Sequence, residues 1–381
     1  MKRNSTLDFL RFIGVILTMF SHLVVSGNSL PEKVASVIQN GGWVGVDLFF
    51  VLSGFLVSGL IFKELSVTGG FRSKTFLIRR GFKIYPAFYL FLGITWGMTL
   101  WFQYSSRESN INYLIQAVFF SNYLPGTLQM HGWLWSVCVE EHFYIFLCIL
   151  FPVLIMFKRV NFKALLFVYL FFFITGLCFR LYNLRYPEFD FYRDAARSHL
   201  RFDALFYGVF LRYLYNNGYL KKWKSNILLA LAIAGTAIPF LFDIDSLTEK
   251  TSRLLFALLL SFNPLIFGYI MIRMYEVDWK WIKPFAYIGK YSYSIYLFHG
   301  LINNLTQGFF TGWKYYIVYF AGSLIGGIII SKMIEYPFLA IRDRWFPGIS
   351  RGKREGAFPA GVSVSAPVSV SASVSEKITH V

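Results

Sequence analysis

The sequence has few charged residues for its length, and acidic residues are the scarcer kind. Charged side chains make up 15% of the 381 residues, with 20 acidic and 37 basic ones, whereas a soluble domain carries about 25%. Apolar residues make up 56%, and apolar runs near the roughly 20 residues that span a bilayer recur from end to end. We therefore expect one all-α integral membrane protein rather than a set of soluble domains.

Cysteine is also scarce, and the familiar catalytic motifs are missing. Cys138, Cys148 and Cys178 lie inside apolar segments without the paired spacing of a disulfide framework or a zinc site. The sequence contains no H-E-x-x-H, Walker A, G-x-S-x-G or aspartate-rich glycosyltransferase motif. His131 and His142 do not make a convincing metal site, so we expect no metal and no permanently bound cofactor.

The net charge of +17 comes from basic residues that cluster between apolar runs. This distribution is typical of topology-setting loops and not of a nucleic-acid-binding face. The basic stretches 2–3, 72–83 and 158–163 alternate with loops poor in Lys and Arg; stretch 180–201 is the exception, because acidic residues dilute its basic ones. The pattern predicts a multi-pass protein of the bacterial inner (plasma) membrane with both termini cytoplasmic.

Two regions are expected along the chain. Residues 1–345 form a membrane domain, a bundle of about ten transmembrane helices, whose first span lacks a signal-peptide cleavage site and is expected to remain. Residues 346–381 are basic and then rich in Ser, Val and Ala, which predicts a disordered cytoplasmic tail. We expect a short interfacial or re-entrant helix at Ile111–Phe120 and spans at Leu7–Gly27, Trp43–Phe62, Ile84–Phe102, Trp133–Phe157, Phe162–Phe179, Phe202–Tyr215, Ile227–Phe242, Leu254–Met274, Phe285–Asn303 and Tyr315–Tyr336.

The first span contains ionisable residues, which are costly inside a bilayer and therefore suggest a functional site. Arg11 and His22 are eleven residues apart, so they share one helix face at a separation of about 16 Å along the axis. Two alternatives stay open: Arg11 as a snorkelling topology anchor, and His22 in an ordinary hydrogen bond between helices.

The second span carries Asp47 near its outer end, as a functional carboxylate or an interfacial cap. The small residues Ser53 and Gly54 in the same span favour close helix packing. Arg201 and Asp203, further along the chain, are interpreted as a structural pair.

The fourth span holds two adjacent carboxylates and a histidine, which packing alone explains poorly. Ser136, Glu140 and Tyr144 repeat every four residues and form one face. Neutralisation of the carboxylates by a basic residue on a neighbouring helix is the alternative to a catalytic role.

The ninth span carries a polar stripe of Ser292, Tyr296 and His299. Such a stripe either supports a site or joins helices by hydrogen bonds.

A cationic cluster begins the third span, with Arg79, Arg80 and Lys83 at its cytoplasmic end. Arginine forks suit phosphate oxygens, so the cluster predicts a site for an anionic cytosolic molecule. The positive-inside rule alone also predicts several basic residues here.

Taken in order, these segments resemble the acyltransferase family 3 membrane proteins, which include bacterial O-antigen and other surface-polysaccharide O-acetyltransferases. The resemblance covers nearly the whole membrane portion, and six matches in the family's order make it specific. The matching segments are Leu7–Arg11 leading to His22, Gly45–Phe55, Arg79–Pro86, Trp135–Tyr144, Arg201–Leu205 and Ser292–His299.

The resemblance implies a ten-helix fold, cytosolic acyl-CoA as donor, and an acceptor sugar on the outer side. It carries over Arg11 and His22 as a spaced pair, and Glu140 as the glutamate after Trp-Ser. The sequence departs from the family at Lys83, where a further arginine is usual, and at His142, where glutamine is common.

Together these features suggest a mechanism. The phosphates of acetyl-CoA would contact Arg11, Arg79, Arg80 and Lys83, and neutral His22 would act as general base on a sugar hydroxyl. Glu140 or Asp47 would orient the imidazole. Transfer through an acyl-histidine is equally compatible, and a transporter or flippase of a lipid-linked sugar is the rival class.

Overall fold

The computed structural model describes residues 4–25, 30–102, 107–125, 131–222, 225–241, 249–277 and 279–348. Within these ranges the regular structure is helical and no strand occurs, which confirms the all-α prediction. The α-helices are α1 Ser5–Ser21, α2 Leu30–Gly41, α3 Val44–Thr68, α4 Ser73–Trp101, α5 Arg107–Ala117, α6 Trp135–Met156, α7 Phe162–Asn183, α8 Phe202–Asn216, α9 Asn226–Gly235, α10 Lys250–Tyr275, α11 Lys283–Gly289, α12 Ser292–Gln307, α13 Gly312–Ile330 and α14 Tyr336–Trp345.

Five helical segments in the described ranges are long and apolar enough to cross a membrane, by length and composition: Val44–Thr68, Gly132–Met156, Phe162–Asn183, Lys250–Tyr275 and Gly312–Trp345. The expected count of about ten is not confirmed by this measure and stays a prediction. α1, α8 and α12 have 17, 15 and 16 residues, below the roughly 20 residues of an independent span. α4 has 29 residues, but its first turns hold the cationic cluster.

The ninth span was predicted as one continuous helix, and this prediction is wrong. The chain forms α11 and α12 with a break between them at Lys290 and Tyr291. Gly289 lies against the backbone of Asp8 in α1, where any added Cβ would overlap the Asp8 carbonyl. Close packing on α1 therefore sets the end of α11, and the break places Lys290 at the wall of a cavity.

Small residues position the centre of the bundle. α3 crosses α8 at Gly54 and Gly208, where a Cβ on Gly54 would overlap the carbonyl of Leu205 and one on Gly208 that of Val51. Such contact requires glycine, because any side chain would push the helices apart. The predicted close packing at Gly54 is confirmed.

The last helices are continuous through one irregular turn. A π-turn, Ser331–Glu335, joins α13 to α14, and π-turns of this kind frequently occur at functional sites. α14 ends at Trp345, the predicted boundary of the membrane domain. Of the predicted disordered tail, residues 346–381, the structure describes only 346–348, and residues 349–381 lie outside the described ranges.

Candidate active site

A cavity of about 400 Å³ lies among α1, α3, α4, α6, α12 and α14. We call it the basic cavity, because its walls include the cationic side chains of Arg11, Arg80, Lys83, Lys290 and Arg342. The other polar wall residues are Ser53, Ser136, Glu140, Tyr144, Ser292, Tyr293, Tyr296 and Tyr336.

The basic cavity brings together predicted site residues from four separate helices, α1, α4, α6 and α12. Its walls include eight of them: Arg11, Arg80, Lys83, Ser136, Glu140, Tyr144, Ser292 and Tyr296. His22 and His299 lie just beyond it, whereas Asp47 and Arg79 lie elsewhere.

Arg11 is held by a carboxylate on its own helix. Its Nη1 lies 2.9 Å from Oδ1 of Asp8, which is buried. The guanidinium keeps access to the basic cavity, since its side chain is 32% exposed. The position of Arg11 on the cavity wall is the one that binding of an anion requires. Binding of an anion is compatible with snorkelling of this side chain.

Glu140 belongs to a polar chain on the cavity wall. It accepts a hydrogen bond of 2.7 Å from the hydroxyl of Tyr144, which lies 2.8 Å from Oγ of Ser53. The guanidinium of Arg80 lies 5.6 Å from the centre of the Tyr144 ring. Glu140 is thus tied to the cationic wall, and its hydrogen bonds within the described residues do not include His22.

Lys83 forms an ion pair with Glu335 of the π-turn, and Ser294 of α12 donates to the same carboxylate. Glu335 is buried and Lys83 is partly exposed. The pair joins α4, α12 and the π-turn while Lys83 still lines the basic cavity. Its role is therefore partly structural, which the sequence pattern does not indicate.

The position of Arg79 does not match its prediction as a binding residue. Its guanidinium lies 2.9 Å from Asp343 of α14 and donates to the carbonyl of Phe346. It is absent from the walls of the basic cavity. Arg79 and Arg80 are neighbours on a helix and point in different directions, so only Arg80 faces the cavity.

Lys290 and Arg342 are cavity residues that sequence reasoning missed. Arg342 belongs to a basic stretch that the positive-inside rule explains by itself, and Lys290 lies at a helix break that the apolar pattern did not reveal. The position of Lys290 could have indicated a place in the site, because it lies two residues before the polar stripe that starts at Ser292.

His22 caps the end of α1 and forms a pair with His299 of α12. Nδ1 of His22 lies 2.9 Å from the carbonyl oxygen of Thr18 and 3.4 Å from Nε2 of His299. A carbonyl only accepts, so Nδ1 carries the hydrogen and Nε2 of His22 keeps its lone pair. Nδ1 of His299 donates to the carbonyl of Tyr296, so Nε2 of His299 accepts from His22.

Trp133 closes one side of the histidine pair. Its ring centre lies 6.4 Å from that of His22 and 5.8 Å from that of His299. The indole packs directly on Gly300, where a Cβ would lie 2.5 Å from it, and donates to the carbonyl of Leu297. The packing fixes the orientation of α6 against α12 next to His22.

The chain after His22 is held by α12 and α13. Asn303 donates to the His22 carbonyl at 2.6 Å, and the hydroxyl of Tyr315 accepts from the Val24 backbone at 3.1 Å. Tyr319 donates to the Met19 carbonyl at 3.0 Å. These bonds occupy the polar backbone groups at the end of α1, which would otherwise be unsatisfied.

Asp47 does not orient His22, contrary to the mechanism suggested above. It is completely buried and forms an ion pair with Arg201 at the start of α8. Asp203 pairs instead with Arg180 of α7, at 2.8 Å. The predicted pair of Arg201 with Asp203 is therefore wrong: each residue has a partner on another helix, which joins α3 and α7 to α8.

The arrangement combines two chemical capabilities. A cavity with cationic walls attracts an anionic ligand, and a histidine with a free Nε2 lone pair can accept a proton. The two lie along α1, from Arg11 on the cavity wall to His22 at the end of the helix.

The family described as "Acyltransferase domain" matches residues 4–334. The chain belongs to this acyltransferase family. The match includes the histidine pair and the basic cavity, apart from α14, which supplies Tyr336, Leu339 and Arg342 to the cavity.

Similar proteins are found in Staphylococcus aureus. The O-acetyltransferase OatA of strain NCTC 8325 is 26% identical over 384 residues, which cover 94% of this chain and 60% of that protein. A protein of strain COL, provisionally named an O-acetyltransferase, is 26% identical over 331 residues, which cover 78% of this chain and 53% of that protein. The chain thus spans about half the length of the curated relatives it matches. No solved structure matches it.

Proposed function

We propose that this protein is a membrane-bound O-acyltransferase. It moves an acetyl group from cytosolic acetyl-CoA to a hydroxyl of a cell-surface carbohydrate, such as an O-antigen, a capsule or an exopolysaccharide. The observation that carries the proposal is a cavity with five cationic side chains on its walls, next to a histidine with a free Nε2.

The basic cavity suits one part of acetyl-CoA. Its volume of about 400 Å³ lies at the lower end of small-molecule sites, so it accommodates the pantetheine arm while the nucleotide stays at the mouth. Arg80, Lys83, Lys290 and Arg342 are the cations proposed to contact the phosphates, and Arg11 lies on the α1 side. Lys83 and Arg342 also form ion pairs, with Glu335 and Asp343. The thioester end then points along α1 toward His22.

His22 acts as the general base. Its Nε2 takes the proton of the acceptor hydroxyl while the oxygen attacks the thioester carbonyl carbon. The carbon–sulfur bond then breaks, and the CoA thiolate receives the proton from the imidazolium. Thr18 and His299 hold the Nδ1 hydrogen of His22 throughout. An acyl-histidine intermediate fits the same residues, with Nε2 as the nucleophile.

The proposal places the mouth of the basic cavity on the cytosolic side of a bacterial inner (plasma) membrane, with both termini cytoplasmic. The distribution of Lys and Arg along the chain supports this orientation. His22 then lies toward the outer side, where a carbohydrate or a lipid-linked sugar is available.

The test compares His22→Ala with the parent protein at matched membrane expression. O-acetyl groups on isolated surface polysaccharide are measured by NMR, and acetyl-CoA turnover by purified protein in nanodiscs. We expect loss of a defined O-acetyl signal and of turnover in His22→Ala. The control is His199→Ala, a half-buried histidine next to Tyr123 and away from the basic cavity.

An unchanged O-acetyl signal in His22→Ala would remove His22 from the chemistry. If deletion of the whole protein leaves every O-acetyl signal intact, carbohydrate acetylation is wrong. A flippase of a lipid-linked sugar would give no acetyl-CoA turnover at all, which separates the rival class.

A further inference from the structure

Tyr296 contacts both the basic cavity and the histidine pair. Tyr296 is part of the cavity wall, whereas His22, His299 and Trp133 are not. On the other side, the ring centre of Tyr296 lies 5.5 Å from that of His299. A thioester in the cavity therefore meets Tyr296 before it meets the histidines.

Hydrogen bonds hold this ring across the gap between α12 and α6. The Tyr296 hydroxyl lies 2.6 Å from Oγ of Ser136 and donates to the carbonyl of Trp133. Ser136 lies in the first turn of α6, and Trp133 lies in the 3-10 turn directly before it. With these bonds in place, the ring bridges the two helices, and the residue is 6% exposed.

Phe49 of α3 completes the barrier from the opposite side. Its ring centre lies 6.2 Å from that of Tyr296, and it packs on Gly14 of α1, where a Cβ would lie 3.2 Å from it. Gly14 lies between Arg11 and His22 on α1, so this contact falls on the route between them.

We propose that Tyr296 controls passage from the basic cavity to His22. The residue blocks the route while its hydroxyl is bound to Ser136 and Trp133, and the route opens when the ring rotates away. The inference rests on the proposed function for its purpose, because acyl transfer to an acceptor near His22 requires this opening. The proposed barrier can be tested without catalysis.

The test uses thiol accessibility. His22→Cys is introduced where Cys138, Cys148 and Cys178 have been replaced by Ala, and a membrane-impermeant anionic methanethiosulfonate is applied to each side of sealed vesicles. The anionic reagent suits a cavity with cationic walls. Labelling rates are compared for Tyr296, Tyr296→Phe and Tyr296→Ala in this background.

Labelling from the side of the basic cavity should accelerate about tenfold in Tyr296→Phe, the effect of losing one or two buried hydrogen bonds. Tyr296→Ala should label faster still. Tyr293→Ala is the matched control: Tyr293 lines the same cavity from the same helix, but its hydroxyl donates to Ile84 at 2.9 Å. Its labelling rate should not change.

Equal rates in all variants would overturn the proposal, and so would equal acceleration in Tyr293→Ala. Tyr296→Phe keeps the ring, so the test remains valid if Tyr296→Ala does not fold. Because labelling needs no acetyl-CoA, failure of the gate is distinct from failure of the acyltransferase function. A further result expected is more acetyl-CoA hydrolysis without acceptor in Tyr296→Phe, when His22 is intact.

Discussion

His22 contacts neutral groups and not a carboxylate among the described residues. The Nδ1 hydrogen of His22 is shared by the Thr18 carbonyl and His299. In a charged triad, the carboxylate of a Glu or an Asp would accept this hydrogen instead. Neutral acceptors suit a site at membrane depth, because a buried charge is costly without a partner. We therefore propose His299 as a positioning residue for His22.

His299→Ala should lower kcat for acetyl transfer about tenfold and leave KM for acetyl-CoA nearly unchanged. The reason is the loss of one long hydrogen bond, 3.4 Å, that orients the imidazole and stabilises its protonated form. Initial rates of purified protein at varied acetyl-CoA measure both constants. A rise in KM with unchanged kcat would place His299 in donor binding instead.

Some cationic side chains line the basic cavity, whereas others nearby do not. Arg342→Gln should raise KM for acetyl-CoA about tenfold, with a small effect on kcat, because a phosphate contact of this kind stabilises bound donor and transition state equally. The matched control is Arg344→Gln, an exposed arginine on the same helix that does not line the cavity. Equal effects of both substitutions would mean that net charge, and not contact, attracts the donor.

At the scale of helices, α14 is a wall of the basic cavity and depends on α4 for its position. It supplies Tyr336, Leu339 and Arg342 to the cavity. The Arg79–Asp343 ion pair, at 2.9 Å, holds α14 against α4. We therefore expect Arg79 to affect binding of the proposed donor through α14 and not by direct contact.

Exchanging the charges tests this indirect role. Arg79→Asp should raise KM for acetyl-CoA severalfold, and Asp343→Arg in the same chain should restore part of it. Recovery is expected to be partial, because Asp343 also pairs with Arg342 at 2.8 Å. An exposed ion pair contributes modestly, so the single effects are expected to be smaller than that of Arg342→Gln. If the second substitution gives no recovery, Arg79 contacts the donor itself.

The crossing of α3 and α8 depends on glycine. Gly54→Ala should destabilise the protein by about 1–3 kcal/mol, because the added methyl overlaps the Leu205 carbonyl and the helices must separate. Gly97→Ala on α4 is the control, since nothing lies within 4 Å of its Cβ position. Thermal aggregation in detergent measures both; equal midpoints would show that the crossing adapts.

At the scale of the whole molecule, the number of spans decides which side each site faces. An even number, such as the expected ten, places both termini on one side of the membrane. The five long apolar segments alone do not determine this, because the shorter α1, α8 and α12 lie in the same bundle.

Topology reporters fused to the protein measure on which side of the membrane each terminus lies. Fusions at the N-terminus and after Trp345 should both report the cytosol, and an epitope in the segment between α1 and α3 should be accessible from outside. The expected result follows from the basic stretches that alternate along the chain. A C-terminal reporter on the outer side would mean an odd number of spans, and an inaccessible epitope would mean that α1 does not cross.

Sequence reasoning recovered much of the candidate site because ionisable residues inside apolar helices are rare and costly. Eight of the predicted residues, Glu140 and Arg11 among them, line the basic cavity, and the helix period placed Ser136, Glu140 and Tyr144 on one face. The periodicity also located most helices, such as α7 and α8, within a few residues.

The amino-acid sequence by itself determined that this protein is helical and apolar and belongs to an acyltransferase family, because composition, periodicity and motif order are local properties of the chain. The tertiary structure alone decided which charges face each other: Asp47 pairs with Arg201, Arg79 with Asp343, and Lys290 enters the cavity. It also placed Tyr296 on the cavity wall, with its ring centre 5.5 Å from that of His299. Ion pairs and barriers depend on how helices rotate against one another, and that rotation is set by contacts such as Gly54 on α8 and Gly289 on α1, between residues far apart in the chain.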